Sequence, residues 1–282
     1  RRLAGEVRAR YHEPDRATYM VMRIINYTNV CVAKCDYCAF YVLPNQSGGY
    51  VLSREDVFAK IDELLEFGGD LVGFNGGFNP KLPLDYYCDL FASVRERYGD
   101  RVEFYALTVA EFVFLADRAK LSFADAAARL RDAGVHWVTG GGSEILTEDF
   151  RKRHAKWKYT VADYFEAQRA IVESGMRTTA TMVIGFDETF DERLEHLQRT
   201  RDFQDETDGL FSFLCWTYKP YGTAMCLYNY STGTYSCQTP KATMNQACTR
   251  MVTADYCGDG TPHTVNGRPI EVYDHYNPEV NT

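Results

Sequence analysis

Three cysteines near the start of the sequence have a spacing that could hold a metal centre. Cys31, Cys35 and Cys38 form a CxxxCxxC pattern, with Tyr37 directly before the third cysteine. Thiolates are the usual ligands of iron–sulfur clusters, and three of them would leave one iron of a [4Fe-4S] cluster without a protein ligand. The alternatives are a zinc site, a disulfide pair or buried free thiols. A structural zinc site normally takes four ligands, and no fourth lies nearby in the sequence, so the spacing favours a cluster.

Other polar residues could bind a substrate, although each also has a simpler explanation. Arg151 and Arg153 could meet a substrate carboxylate, but basic residues on a surface helix are usually solvated. Asp205 and Glu206 precede the last predicted strand, where adjacent acids in a loop are usually a solvated pair. The histidines have no spacing that forms a metal site, and we expect them to be structural or exposed: His12, His136, His154, His196, His263 and His275.

The elements that must position these residues are parallel βα units, because apolar strands alternate with amphipathic helices through the first 216 residues. The predicted strands are residues 20–25, 71–75, 102–107, 135–139, 177–184 and 211–216. The predicted helices are residues 54–67, 84–98, 109–119, 123–133, 161–174 and 191–203. This order predicts an α/β fold, a partial (β/α)6 TIM-like barrel, whose functional residues lie at the C-terminal ends of the strands.

Glycine clusters follow several predicted strands at that end. Gly76-Gly77 come after Asn75, the last residue of the second strand, and three glycines precede Glu144 after the fourth. The glycines could form tight turns or leave backbone exposed to a ligand. Glu144 could accept hydrogen bonds from ribose hydroxyls or a substrate amine, or it could be an acid favoured by a helix N-terminus.

The cysteine pattern and further segments resemble the radical SAM enzymes. Over about residues 1–223 the sequence is similar to the cyclic dehypoxanthine futalosine synthases of menaquinone biosynthesis. The segments that carry the resemblance are Ile25-Asn26-Tyr27-Thr28-Asn29-Val30-Cys31, Cys38-Ala39-Phe40-Tyr41, Gly49-Tyr50-Val51-Leu52-Ser53, Leu82-Pro83-Leu84-Asp85-Tyr86-Tyr87, Gly140-Gly141-Gly142-Ser143-Glu144-Ile145-Leu146, Thr178-Thr179-Ala180-Thr181-Met182, Gln204-Asp205-Glu206-Thr207 and Trp216.

The resemblance implies a set of cofactor-binding residues. The three cysteines would hold a [4Fe-4S] cluster, and S-adenosylmethionine would bind its open iron. The remaining residues implied at the cofactor or the barrel mouth are Tyr37, Asn75, Gly76, Gly77, Glu144, Gly185, Glu188, Asp205 and Glu206. Of these, Gly76 and Gly77 would bind the methionine amino group, and Gly185 and Glu188 would lie near adenine.

The resemblance also implies an activity. A one-electron donor such as flavodoxin or ferredoxin would reduce the cluster, and cleavage of S-adenosylmethionine would give a 5′-deoxyadenosyl radical. A ribose-centred radical of dehypoxanthine futalosine would then add to the aromatic ring and give the cyclic product. Glu144 and Tyr105 are the candidate catalytic residues.

The sequence departs from the family in three ways. Tyr105 stands where the family usually has a histidine at the end of strand three, and a phenol, with a pKa of about 10, is usually no base near neutral pH. Thr139 replaces a proline before the glycines, and the last two βα units of the family are missing. These departures leave the substrate less certain than the radical chemistry.

Composition excludes several classes of partner. The chain has 282 residues, 45% of them hydrophobic, a net charge of −8 and a pI near 5.3. The acidic balance argues against a nucleic-acid partner, which would want a basic face. No apolar stretch approaches about 18 residues, so no membrane span is expected, and the first residues lack the apolar run of a signal peptide. We expect a cytoplasmic enzyme.

Nine cysteines are many for such an enzyme. Cys88 and Cys215 fall in a helical and a strand pattern, where we expect buried free thiols. Four more are spaced almost evenly near the C-terminus and suggest disulfides in an oxidising compartment: Cys226, Cys237, Cys248 and Cys257. A solvent-accessible cluster suits a reducing compartment, so the two halves of the chain indicate different cellular compartments.

Residues 224–282 do not continue the βα pattern, and we expect them to form a separate, irregular segment after a core of residues 1–223. Pro240 is predicted to begin a short helix, and Asn266-Gly267 predicts a hairpin. Ala254-Asp255-Tyr256-Cys257 resembles a small bacterial domain that is named for this motif.

Two other functions remain open from the sequence. A radical SAM enzyme acting on a different nucleoside or aromatic substrate would keep the cysteines while changing Tyr105. A non-catalytic binding module with a disulfide-linked C-terminal segment would show no iron after reconstitution and cysteines resistant to alkylation.

Overall fold

Six parallel strands form the sheet around which the chain is organised. The computed structural model describes residues 2–13, 15–17, 19–219, 223, 226–229, 234–237, 264–265 and 268–269. The strands, in sequence order and in the same spatial order, are β1 (Met22–Asn26), β2 (Leu71–Asn75), β3 (Glu103–Thr108), β4 (Trp137–Thr139), β5 (Arg177–Ile184) and β6 (Leu210–Thr217). They curl into a partial barrel, which confirms the predicted α/β fold.

Helices connect successive strands. They are α1 (Arg2–Arg8), α2 (Arg54–Glu66), α3 (Leu84–Tyr98), α4 (Val109–Ala119), α5 (Phe123–Asp132), α6 (Glu148–His154), α7 (Val161–Glu173) and α8 (Phe190–Thr207). Four of them begin with a capping box, in which a Ser or Thr and an acid three residues later satisfy each other's backbone N–H groups. The capping residues are Ser53, Thr108, Thr160 and Thr189. None of the helices in the described residues is both long and apolar enough to cross a membrane.

The hydrophobic core lies between the sheet and the helices. Phe74 of β2 and Phe104 of β3 pack edge to face at 5.7 Å, and both contact Phe91 of α3. All three are essentially inaccessible to solvent. Since successive residues of a strand point to opposite faces, Gly73 and Tyr105 turn toward the concave face of the sheet. The period-two alternation therefore fixes which residues can reach a ligand inside the barrel.

The described residues of the C-terminal segment form two short antiparallel strand pairs. β7 (Cys226–Asn229) pairs antiparallel with β8 (Thr234–Cys237), and Cys226 is in register with Cys237. β9 (Thr264–Val265) pairs with β10 (Arg268–Pro269), which confirms the hairpin predicted around residues 266–267. The helix predicted from Pro240, together with Cys248 and Cys257, lies outside the described residues.

Strand β6 differs from the other strands in its exposure. Among the described strands it pairs with β5 alone. Three large apolar side chains on it are between 42% and 62% exposed, and Trp216 is 58% exposed: Phe211, Phe213 and Leu214. Cys215 is also exposed, so the prediction that it is a buried thiol is wrong. The reason is that α8 covers too little of this strand.

Candidate active site

The cysteine loop, residues 30–41, follows β1 at the C-terminal end of the sheet. The Cys31 N–H donates to Val42 O at 3.0 Å, and the Val32 N–H donates to Phe78 O at 3.1 Å. The loop thus packs on the turn after β2. A Cβ atom on Gly77 would lie 2.3 Å from Val30 O and 2.7 Å from the Cys31 Cβ, so only glycine lets the two segments approach.

The three thiols of the cysteine loop influence one another. Burial raises the pKa of Cys38 to about 11, and the nearby Cys35 and Cys31 thiols add to the shift. Burial also raises the pKa of Cys35, whereas the ammonium of Lys158 opposes the shift. A bound metal would lower the pKa values of these thiols, because a metal cation favours the thiolate. Cys35 and Cys38 therefore favour the protonated thiol without a metal and would release protons to one.

The donor set fits an iron–sulfur cluster. Within the described residues, no three His, Cys, Asp or Glu side chains surround one point as ligands of a single metal ion would. A cluster spreads its irons over separate corners, so its thiolates lie further apart than those around one zinc ion. The donor type and the spacing of Cys31, Cys35 and Cys38 suit such a cluster.

A buried ion pair stands beside the thiols. Lys158 Nζ is 3.0 Å from Glu144 Oε2 and 2.9 Å from the Tyr37 hydroxyl oxygen, and it donates to Gly142 O at 3.3 Å. The side chains of Lys158 and Glu144 are 7% and 16% exposed. Burial lowers the pKa of Lys158, but the charges of Cys35 and Glu144 more than offset this effect, and the net shift is upward. The site therefore contains a fixed positive charge next to Cys35.

Arg151 is buried at the same site, and two of its nitrogen atoms make no hydrogen bond with a described residue. It lies in α6, is 4% exposed, donates through Nη1 to Tyr159 O at 3.3 Å and stacks over the Tyr159 ring at 4.6 Å. Its charge interacts with Glu144 and Tyr37. Its Nε and Nη2 atoms are buried and make no hydrogen bond with any described residue. Because a buried charged donor is costly to leave unpaired, this arrangement suits an anionic ligand such as a carboxylate.

The turn after β2 is held by a buried acid. Glu111 accepts hydrogen bonds from the Tyr27 hydroxyl, the Thr108 N–H at 2.9 Å and the Gly76 N–H. Burial raises the pKa of Glu111 to about 7, although these hydrogen bonds favour its ionised form. Asn75 Oδ1 is buried and accepts no hydrogen bond from the described part of the chain. The turn thus offers an unused acceptor to a ligand amine.

The loop after β5, residues 185–189, faces the cysteine loop through aromatic rings. Phe186 lies 5.4 Å from the Tyr37 ring and 4.3 Å from the Tyr218 ring. The Gly185 N–H and Arg193 Nε donate to Glu188 Oε1 at 2.9 and 2.8 Å. Glu188 Oε2 is buried without a partner among the described residues. Glu188 Oε1 therefore stabilises the loop, and Glu188 Oε2 is free to accept a hydrogen bond from a ligand.

Two predicted site residues lie elsewhere. Asp205 and Glu206 belong to the last turn of α8 rather than to a loop, and they precede the N-terminal end of β6, opposite the cysteine loop. Glu206 accepts from Arg169 Nε at 2.9 Å. Asp205 and Glu206 are both exposed. The structure does not bring these acids to the barrel mouth, because α8 continues through them to Thr207.

Tyr105 and Arg153 are also placed differently from the sequence expectation. Tyr105 is the third residue of β3 rather than its last, and its ring meets Trp137 edge to face at 5.6 Å. Burial raises the pKa of Tyr105, so its phenol stays protonated. Arg153 binds both carboxylate oxygens of Glu192 at 3.0 Å, which leaves it committed to α8.

Sequence reasoning missed three residues of this region: Lys158, Glu111 and His154. Lys158 belongs to a segment rich in basic residues that looks solvated in the sequence. The capping spacing Thr108–Glu111 was a usable signal, because it places the acid at a helix start near the strand ends. His154 was expected to be structural or exposed, but its ring bridges Asp36 and Asp187.

Family comparisons agree with the fold. The model of the radical SAM superfamily matches residues 25–200, and that of the ADYC domain matches residues 138–282, so the two overlap over 138–200. Methylornithine synthase has a similar solved structure, with a TM-score of 0.58 and 16% identity over 79% of this chain and 60% of that one. At that identity the likeness supports the fold alone.

Curated relatives carry more than one name. Cyclic dehypoxanthine futalosine synthase of Halalkalibacterium halodurans is 39% identical over 222 residues, which is 79% of this chain and 60% of that protein. A 5-amino-6-(D-ribitylamino)uracil–L-tyrosine 4-hydroxyphenyl transferase 2 of Methanosarcina mazei is 31% identical over 78% of this chain and 56% of that protein. The chain spans between 51% and 60% of the length of these curated relatives.

Proposed function

Because the chain belongs to the radical SAM superfamily, and its residues 138–282 to the ADYC domain family, we propose that it cyclises dehypoxanthine futalosine in menaquinone biosynthesis. When bound, the [4Fe-4S] cluster and S-adenosylmethionine supply a 5′-deoxyadenosyl radical that abstracts hydrogen from the substrate. The 39% identity to the synthase from Halalkalibacterium halodurans supports the choice of substrate. A one-electron donor such as flavodoxin or ferredoxin is part of this proposal.

The observation that carries the proposal is the convergence of three thiols with unused polar groups. Cys31, Cys35 and Cys38 are assigned as cluster ligands. Asn75 Oδ1, buried without a partner in the described chain, is assigned to the amino group of the methionine moiety. The turn at Gly76 and Gly77 brings this acceptor against the cysteine loop.

A carboxylate near Arg151 and Lys158 would satisfy the unused donors of Arg151. Together with Glu144 they leave one excess positive charge in a buried site, since two cations face one anion. Arg151 has two donors without partners among the described residues, and a guanidinium can grip a carboxylate through two parallel hydrogen bonds. We assign this position to a carboxylate of the cofactor or of the substrate. Glu144, released in part from Lys158, would then accept from a ribose hydroxyl.

Aromatic rings would keep water out of the site. Tyr37, Phe150, Phe186 and Tyr218 form a continuous wall in which neighbouring ring centroids lie between 4.3 and 6.3 Å apart. The wall joins the cysteine loop to the loop after β5, where Gly185 and Glu188 are assigned to the nucleotide. Exclusion of water strengthens the electrostatic contacts inside and protects reactive species from side reactions.

A second candidate is a radical SAM reaction on another nucleoside or aromatic substrate. Tyr105 favours it, because a phenol held protonated on the concave face can donate a hydrogen bond but cannot act as the base that a histidine could supply. The differently named relative from Methanosarcina mazei, 31% identical, supports it as well.

Product analysis separates the two candidates. The reconstituted, reduced protein is incubated with S-adenosylmethionine and either dehypoxanthine futalosine or 5-amino-6-(D-ribitylamino)uracil with tyrosine. We expect the cyclic product from the first mixture and no new product from the second. Formation of 5′-deoxyadenosine without the cyclic product would contradict the proposed substrate while leaving the radical chemistry in place.

A further inference from the structure

The middle of the cysteine loop is fastened to the end of α6. Asp36, between Cys35 and Cys38, has its Oδ2 2.9 Å from His154 Nδ1. The Asp36 N–H donates to the backbone oxygen of His154 at 3.3 Å. His154 is the last residue of α6, and its side chain is 10% exposed and packs on Phe150 at 4.8 Å. One residue of a helix thus binds both the side chain and the backbone of the loop.

The other ring nitrogen of His154 reaches the loop after β5. His154 Nε2 is 2.7 Å from Asp187 Oδ1. Arg153 Nη2 donates to the same oxygen at 3.3 Å, while Arg153 Nη1 and Nη2 each bind Glu192 at the start of α8. An imidazole meets two carboxylates at once only by donating from both nitrogens. The ring therefore spans the loop that carries the thiols and the loop assigned to the nucleotide.

We propose that His154 is a positioning residue that fixes the spacing between the cysteine loop and the loop after β5. The inference rests on the proposed function, because it takes the thiols as cluster ligands and Gly185 and Glu188 as nucleotide contacts. Hydrogen-bond partners behind metal ligands orient those ligands and tune what they bind. Here His154 binds Asp36, which is the residue next to Cys35. Through its contact with Asp187, His154 would also set the position of the nucleotide.

Burial makes the bridge hard to replace. Asp36 Oδ1 is buried and has no partner among the described residues, so His154 supplies the side-chain hydrogen bonds that Asp36 makes there. Without the ring, Asp36 would lose its side-chain partner, and Arg153 would be left as the cation at Asp187. We expect the loops to separate rather than to keep this arrangement, which would expose Cys35 and move Phe186 away from Tyr37.

The first test uses the protein without cofactor. In His154→Gln, we expect alkylation of Cys35 by iodoacetamide, mapped by mass spectrometry, to be roughly tenfold faster than in the wild type. The matched control is His136→Gln, because His136 also pairs with an acid, Glu103 at 3.1 Å, but does so at the opposite end of the strands. Equal alkylation rates in the wild type and both variants would overturn the proposal. This reading does not depend on cluster assembly, so it separates failure of the bridge from failure of the proposed function.

The second test uses the reconstituted protein. His154→Gln should load iron through its intact cysteines, yet its KM for S-adenosylmethionine should rise roughly tenfold or more, with a smaller change in kcat. The change in the electron paramagnetic resonance signal on adding S-adenosylmethionine should also weaken. An unchanged KM and spectrum would overturn the proposal.

A pair of variants guards against simple misfolding. Asp187 lies in an exposed loop, with 33% of its side chain accessible, so its replacement should leave the fold intact. Asp187→Asn keeps an oxygen that can accept from His154 Nε2 and should behave like the wild type. Asp187→Ala removes the acceptor and should reproduce the KM change of His154→Gln. Equal KM values in the two Asp187 variants would contradict a positioning role.

Discussion

Lys158 contributes one of the two buried positive charges near the thiols, and its partner Glu144 is also largely buried. A salt bridge of this kind is weak evidence for stability when both partners are present, but breaking it leaves one charge without a counterion. Lys158 and Glu144 therefore stabilise each other. Lys158 also donates hydrogen bonds to Tyr37 and Gly142, which hold its ammonium in place. The expected consequence is strong coupling between the two side chains.

Lys158→Met should lower the free energy of unfolding by about 3 kcal/mol, because it strands the Glu144 carboxylate. The double variant with Glu144→Gln should lose less than the sum of the single variants, by about 1 kcal/mol or more. Urea unfolding of the four proteins measures this. Lys152→Met is the control, because Lys152 pairs with Asp149 at 3.5 Å with both side chains more than 70% exposed, and we expect a change below about 0.5 kcal/mol. Strict additivity of the two single variants would contradict the account.

Residue types and spacing predicted where the cysteine loop, Asn75, the glycine turn and Glu144 lie, because each stands at a strand end. The roles assigned to these residues stay predictions. Lys158 could not be predicted, since its burial depends on how α6 folds back over the cysteine loop. Tyr105 was placed at the end of β3, but the strand runs on to Thr108. Local sequence determines a strand end only to within a few residues, and tertiary packing determines the rest.

At the scale of elements, α8 joins the outer layer to the site through His196. This side chain is fully buried, and its Nδ1 accepts the Leu146 N–H at 2.9 Å, which leaves the proton on Nε2. Burial, with a contribution from the charge of Arg151, lowers the pKa of His196 from 6.5 to about 4. A histidine kept neutral in the fold becomes protonated more easily on unfolding.

The pH dependence of stability follows from this shift. Stability from neutral His196 is fully present above pH 6.5 and is lost as the pH falls toward 4, by roughly 3 kcal/mol in all. His196→Asn offers an amide oxygen to the Leu146 N–H but does not titrate. The free energy of unfolding of this variant should therefore change less with pH between pH 6.5 and 4.5 than that of the wild type. Urea unfolding at several pH values measures it, with exposed His136→Asn as control. If the unfolding free energy of His196→Asn changes with pH as steeply as that of the wild type, another group causes the pH dependence.

Hydrophobic periodicity was sufficient to predict all six strands, because each lies in an alternating or apolar stretch, although β4 has three residues where residues 135–139 were predicted. It did not predict α6, whose sequence is mostly charged, or the last turn of α8, where polar residues carry no apolar stripe. The family resemblance implied that Asp205 and Glu206 lie at the barrel mouth, but α8 continues through them and places them before the N-terminal end of β6. Elements stabilised by ion pairs rather than burial give no periodic signal.

For the molecule as a whole, β6 is the surface that most affects association. Edge strands present unpaired backbone groups to other chains, and exposed apolar side chains add to the tendency. Within the described residues both features coincide on β6, which pairs with β5 alone and where Leu214 is 42% exposed. Self-association through this strand is the expected consequence.

Leu214→Lys should reduce concentration-dependent self-association, because a charged residue on an edge strand opposes pairing. Leu3→Lys is the control: it makes the same chemical change at a residue of α1 that is 66% exposed. Sedimentation velocity at several concentrations compares the two variants, with unfolding free energies expected to stay within about 0.5 kcal/mol of the wild type. If both variants associate like the wild type, β6 is not the contact surface.

The most direct measurement is 5′-deoxyadenosine formation after anaerobic reconstitution with iron and sulfide, reduction and addition of S-adenosylmethionine. The wild type should form the nucleoside, Cys35→Ala should form none, and Cys215→Ala, which changes an exposed thiol on β6, should match the wild type. Nucleoside formation that survives in Cys35→Ala, or a wild type that takes up no iron, would contradict the assignment of the three thiols.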